Sequence, residues 1–283
     1  MILRAGKFML ALDHPRVMGI VNVTPDSFSD GGKFLARDAA IAHGRRLVEE
    51  GADIVDIGGE STRPGAAAAT LQEELDRVMP VLETLVGDGI PISIDTQKAQ
   101  VMAVAIKAGA AMINDVNALL APGALETCVA SNVAVCVMHR QGTPSTMQAA
   151  PDYVEVVTEV AAFLAARADA CVRAGIHRER IVIDPGFGFG KTMEHNFRLL
   201  RELRVLVALG YPVMAGFSRK ASLGLVTGRG ADDRLPASIA AAILCAQNGA
   251  TILRVHDVRE TVDAIKVLMA IDAGWAKRSV PTS

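Results

Sequence analysis

Eight short apolar runs, at 17–22, 52–58, 91–95, 111–114, 133–138, 181–184, 212–216 and 251–256, recur along the chain. They read as nearly continuous β-branched and apolar strings rather than an apolar/polar alternation, the pattern of parallel strands covered on both faces. Segments with helical periodicity lie between them and supply the cover. Leu71, Leu75, Val78, Leu82 and Leu85 fall on one helical face, and 233–246 and 258–269 behave alike. The alanine-rich 152–175 is a helix by propensity, and Pro80 predicts a kink or a shortened first turn in the helix that holds it. Eight βα units in 283 residues fit an α/β chain folded as a single (β/α)8 TIM barrel, one domain over 1–283. A doubly wound sheet is the competitor. It calls for a glycine-rich fingerprint after the first strand, where this chain has VTPDSFSDGG at 23–32.

Charge narrows the partners. The formal net charge is −2 and no block of Lys/Arg is present, which argues against nucleic acid, because such binding neutralises many phosphates at once. Any anion site must be local. No stretch approaches the roughly 20 apolar residues of a membrane span, and the apolar run after Arg4 and Lys7 stops at Asp13, too early for a signal peptide. Cys128, Cys136, Cys171 and Cys245 form no C-x-x-C pair, so free thiols in the cytoplasm are the expectation.

The polar residues gather where the runs finish: Asn22, Asp56 with Glu60 beyond it, Asp95, Asn114, His139, Asp184, Ser218 with Lys220, and Arg254 with His256. In a barrel these ends converge on the C-terminal mouth, where such folds place their sites. Their chemistry divides in two. Asp95, Asn114 and Asp184 suit a flat heterocycle with adjacent N–H and C=O groups. Arg63, Lys220, Arg254 and His256, taken as cations, suit a phosphate or diphosphate. GFGFGKT at 186–192 imitates a phosphate-binding loop, but Pro185 stands where its first glycine belongs and the run follows a late strand. The histidines show no metal-ligand spacing. A metal, if used, is a hard cation such as Mg²⁺, held mainly by substrate phosphate oxygens.

GIVNVTPDSFSDGG at 19–32, DIGGESTRPG at 56–65, ISID at 92–95, INDV at 113–116, MH at 138–139, DPGFGFGK at 184–191, GFSRK at 216–220 and RVH at 254–256 follow one another in an order that resembles the bacterial dihydropteroate synthases over essentially the whole chain. The first two runs are long and loop-specific. The resemblance implies a TIM-barrel transferase of folate biosynthesis, the sulfonamide target, joining 6-hydroxymethyl-7,8-dihydropterin diphosphate to p-aminobenzoate with release of pyrophosphate. Asn117–Ala118 depart from the family's frequent Ser–Gly, and Thr192 stands where Asn is common.

Carried over residue by residue, the resemblance implies a pterin held by Asp95, Asn114, Met138, Asp184, Phe189 and Lys220, with Arg254 against the ring face. The diphosphate meets Asn22, Arg63, Arg254 and His256, with Mg²⁺ bridging Asn22 and phosphate oxygens. The p-aminobenzoate lies against Phe28, Thr62, Pro64, Phe189, Lys220 and Ser222. Asp95, Lys220, Arg63, Arg254 and His256 are then the catalytic set. The first two βα loops, with Pro25, Gly31, Gly32, Pro64 and Gly65, read as lids, and Asp26 and Asp30 as turn-capping aspartates. A homodimer through the late helices is the expected assembly. Two rivals stay open: a pterin-binding methyltransferase, which has no use for the anion grip, and a catalytically silent barrel that only binds a partner or pathway component.

Overall fold

The computed structural model describes residues 1–24, 32–61, 68–142, 146–147 and 151–272. It opens with an antiparallel hairpin of β1 (Ile2–Ala5) and β2 (Phe8–Ala11). The barrel strands follow: β3 (Arg16–Asn22), β4 (Ile54–Gly58), β5 (Ile92–Asp95), β6 (Met112–Asp115), β7 (Ala134–Met138), β8 (Ile181–Asp184), β9 (Met214–Ala215) and β10 (Ile252–Val255). Each pairs in parallel with its neighbour in chain order from β3 to β8, β10 pairs with both β3 and β9, and a parallel bridge between Ile183 and Val213 closes the circle. This is the expected (β/α)8 barrel, with helices returning the chain between strands.

The main outer helices are α1 (Gly32–Glu49), α2 (Leu71–Leu85), α3 (Ala99–Lys107), α4 (Ala124–Val129), α5 (Val156–Ala174), α6 (Met193–Arg201), α7 (Arg204–Val207), α8 (Ala221–Thr227), α9 (Leu235–Gln247) and α10 (Val258–Asp272). Pro80 does not shorten α2: the helix starts at Leu71 on a capping box between Thr70 and Glu73 and runs through Pro80 to Leu85. Burial of Val78, Val81, Leu82 and Leu85 against the barrel outweighs the one hydrogen bond a proline removes.

The hairpin was not anticipated. Its alternating burial puts Leu3 and Ala5 inward, where with Leu12 they join Met18, Ile54, Met112, Cys136, Val182, Met214 and Ile252 in one apolar cluster. The hairpin thus plugs the lower, N-terminal end of the barrel. Arg16 ties it down, donating from Nε to the Ala11 carbonyl (2.7 Å) and from Nη1 to Asp53 (3.0 Å). All four cysteines are buried with free thiols, and burial pushes Cys128 and Cys245 up to about 12.

Candidate active site

Inward-facing residues recur every second position along a strand. Two residues beyond the apolar cluster, the same strands therefore present Asn114, Met138, Asp184, Gly216 and Arg254 to the opposite end, where with Asp95, Phe189 and Lys220 they line a cleft of about 400 Å³, open mouth included. Every residue expected to hold the heterocycle lines this one cleft. A closed barrel brings them together from β5, β6, β7, β8 and β10 and from the loops after β8 and β9.

Arg254 organises the floor. Its Nε donates to Asp56 Oδ2 and its Nη2 to Asp95 Oδ2, both at 2.7 Å. Asn114 Nδ2 donates to the same Asp56 oxygen (3.1 Å), which leaves the amide oxygen for a ligand. Asp56, fully buried, was read from sequence only as one more polar strand end. The structure makes it the strut under Arg254 and Asn114, and its Oδ1 has no hydrogen-bond partner among the described residues. Asp184 is aimed by the Gly186 N–H, which donates to its Oδ1 at 2.6 Å. Lys220 Nζ lies 4.3 Å from the centre of the Phe189 ring, a cation–π contact.

Burial dominates the electrostatics. It pushes the Asp95 carboxyl up to about 7, with the Asp56 carboxylate adding and Arg254 opposing, and it raises Asp184 against the pull of the Gly186 N–H and Lys220. Burial, reinforced by the Arg254 guanidinium, brings Lys220 down to about 8. Burial alone would lower Arg254, but the Asp56 and Asp95 carboxylates outweigh it and hold the guanidinium charged. His256 departs from expectation. Burial, then the cations Arg254 and Arg219, push it down to about 3, which favours the neutral imidazole, and its Nδ1 lies 3.1 Å from Ser218 Oγ.

The remaining candidates are spread around this centre. Asn22 is half-buried at the end of β3. Ser222 is buried in the first turn of α8, where its Oγ accepts from Asn196 Nδ2 (3.0 Å). Phe28, Thr62, Arg63 and Pro64 lie outside the described residues, as do Pro25, Asp26, Asp30, Gly31 and Gly65 of the two lid loops, whereas Gly32 opens α1. The loop after β6 explains one departure from the family pattern. Ala118 and Leu119 both hold left-handed backbone, φ 53° and 57°, which costs a non-glycine residue roughly 1–2 kcal/mol. The Asp115 carboxylate offsets this by accepting from the N–H groups of Asn117 and Leu119, both at 2.7 Å.

A parallel barrel whose mouth carries carboxylates and an amide facing a lysine and an arginine defines an enzyme of the heterocycle-binding barrel class. Comparison with known proteins agrees: residues 18–256 match the family described as pterin binding enzyme. The dihydropteroate synthase of Haemophilus influenzae is 49% identical over 271 residues, covering 95% of this chain and 98% of that one. The Xanthomonas albilineans dihydropteroate synthase with 4-aminobenzoic acid superposes with a TM-score of 0.89 at 55% identity, covering 94% of this chain and 96% of the other. Its complex with 7,8-dihydropteroate gives 0.89 at 51%, covering 96% and 99%. The chain belongs to the pterin-binding enzymes, in their dihydropteroate synthase branch.

Proposed function

We infer that this chain is a dihydropteroate synthase, which condenses 6-hydroxymethyl-7,8-dihydropterin diphosphate with p-aminobenzoate to give 7,8-dihydropteroate and pyrophosphate. The observation that carries the reading is the single cleft holding Asp95, Asn114 and Asp184 opposite Lys220 and Arg254. The carboxylates and the amide accept from and donate to the edge of the pterin ring, and the cations face its diphosphate tail.

The aniline nitrogen of p-aminobenzoate is a weak nucleophile, so the reaction gains most if the C–O bond to diphosphate breaks ahead of attack. The methylene then carries a positive charge delocalised into the pterin, and the amine adds to it, forming the C–N bond and releasing one proton. Asp95, whose carboxyl titrates near 7, and the Asp184 carboxylate beside it offset the charge on the ring. Arg254 and Arg63 stabilise the departing pyrophosphate, and a neutral His256 contributes an N–H rather than a charge. No nucleophilic Ser or Cys takes part.

Among the described residues no three His, Cys, Asp or Glu side chains group to hold a metal, and Asn22 offers a single hard oxygen, which an ideal Cβ on Gly58 would meet at 3.9 Å. That donor set fits Mg²⁺ held by one protein oxygen and the substrate's own phosphates. When bound there, Mg²⁺ supplies charge neutralisation to the diphosphate. A homodimer is supported by exposed apolar side chains on the late helices, Leu225 and Val226 of α8 and Leu244 of α9. No helix among the described residues is long and apolar enough to cross a membrane, and the free thiols support a cytoplasmic setting.

The methyltransferase reading leaves Lys220 and the RVH run without a purpose, and a silent barrel has no need of a complete set. Incubation with the pterin diphosphate, p-aminobenzoate and Mg²⁺ separates the three. Pyrophosphate and dihydropteroate in equal amounts are expected; ligand binding without either product overturns the synthase reading.

A further inference from the structure

Lys191 closes the run that imitates a phosphate loop, yet its side chain is turned inward and is only 2% exposed. Its Nζ lies 3.1 Å from the Gly186 carbonyl, 3.1 Å from that of Phe189, 3.3 Å from that of His139 and 2.9 Å from His139 Nδ1. Among the described residues no carboxylate oxygen comes within the 4.0 Å of an ion pair with it. An ammonium out of water is costly unless its donors are satisfied, and here three backbone carbonyls and one imidazole satisfy them.

Those acceptors belong to two loops joined along a tight seam. A Cβ on Gly186, which has φ +67°, would stand 2.0 Å from the His139 carbonyl oxygen, and one on Gly190, φ +63°, would stand 2.3 Å from that of Gln141. No side chain is tolerated at either position. The loop so clamped carries two groups of the mouth, the Gly186 N–H that aims Asp184 and the Phe189 ring under Lys220. His139 completes the arrangement. It packs edge-on against Phe163, 5.0 Å between ring centres, and burial with the adjacent Lys191 charge pushes it down to about 3, so it is neutral. Burial, opposed by the Asp184 carboxylate, brings Lys191 itself down to about 7; in its charged form the ammonium can only donate, so that Nδ1 presents a lone pair and the proton sits on Nε2.

We propose that Lys191 is a positioning residue of the pterin-binding mouth: its buried ammonium draws together the carbonyls of His139, Gly186 and Phe189 and thereby fixes the loop that aims Asp184 and Phe189, with His139 as a neutral acceptor through Nδ1. The proposal rests on the pterin reading of the cleft. It gives the GFGFGK run a purpose that has nothing to do with binding a phosphate.

Titration of the wild-type protein and of Lys191→Met with 6-hydroxymethylpterin, followed by steady-state kinetics, tests it. In the variant the pterin Kd is expected to rise at least tenfold, and KM for the pterin diphosphate to rise more than kcat falls, with cooperative melting retained. A folded variant that binds pterin within twofold of wild type overturns the proposal, because a merely stabilising lysine would leave the affinity of the folded protein alone. If Lys191→Met does not fold, His139→Asn, which keeps an acceptor, is expected to bind within twofold and His139→Leu at least fivefold more weakly; equal affinity in the two overturns it. Nitrogen NMR of the wild-type protein needs no variant and should find His139 protonated on Nε2; protonation on Nδ1 overturns the arrangement. If the wild type itself does not bind pterin, the reading of the cleft fails, and the proposal with it.

Discussion

At the lower end of the barrel Met112, Cys136, Val182, Met214 and Ile252 meet Leu3 of the hairpin and Leu12 just after it. Two residues further along the same strands stand Asn114, Met138, Asp184, Gly216 and Arg254. Backbone, register and barrel closure are common to both ends; what differs is which polar atoms are buried and what holds them. The lower end buries carbon against carbon and its stability scales with area. The mouth buries carboxylates and cations whose desolvation the fold has to absorb, and it does so by sharing one guanidinium between Asp56 and Asp95. One end holds the barrel shut and the other holds charge where a ligand can use it.

The division breaks first, if it is wrong, under removal of charge at the mouth. Lys220→Met and Asp95→Ala should each lower turnover by about 1,000-fold, the scale of losing a charge aimed at the reacting centre, with the barrel still folded by circular dichroism; near-normal pyrophosphate release from either variant would place the chemistry elsewhere. Leu3→Ala probes the other end. It should cost about 3 kcal/mol in denaturant unfolding and leave pterin affinity within twofold, and a matching loss of affinity would mean the two ends are coupled.

Titration sharpens the contrast further. Asp95 keeps its proton to about pH 7 in the folded protein, against 3.8 ordinarily. The folded state therefore binds more protons than the unfolded one between these values, and its stability falls as pH rises through them. Asp95→Asn should therefore gain stability on wild type as pH rises from 4 to 7, read by denaturant unfolding at each pH. His256 has the opposite sign: with its folded value down at about 3 against 6.5, the unfolded chain takes up the proton first, and stability is lost as pH falls below 6.5. His256→Asn should flatten that acid-side decline; an unchanged profile would mean the imidazole is already charged. The smallest effect belongs to the rim, where Thr70→Ala removes the cap of α2 and should cost about 1 kcal/mol with kcat unaltered.

The strand runs and the polar residues that end them were legible because parallel barrel strands leave a strong apolar signature and because their ends are forced to one face. The floor of the cleft followed, from Asp95 through Arg254. Less could be read where a role depends on what a side chain touches. The hairpin is two four-residue strands whose alternation is too short to stand out, and it was weighed only as a leader. Asp56 is an aspartate among several until Arg254 and Asn114 are seen to lean on it. The GFGFGK run was set aside as an imitation of a phosphate loop, and Lys191 had no role left in it, because composition cannot show that its side chain faces three carbonyls. His256 was read as a cation because the neighbours that hold it low, Arg219 and Ser218 of the loop after β9, lie far away in sequence.

The four cysteines bear on how this enzyme can be handled. All are buried, and their thiols are held above the ordinary range by that burial, so in the folded protein little thiolate is available to an alkylating or oxidising reagent. A cysteine introduced at an exposed site, such as the surface of α10, can therefore carry a fluorophore or spin label without first stripping the native ones. The wild-type background, Cys136 beneath the cleft included, is in effect already silent to thiol chemistry, and distance measurements across the mouth can begin from it.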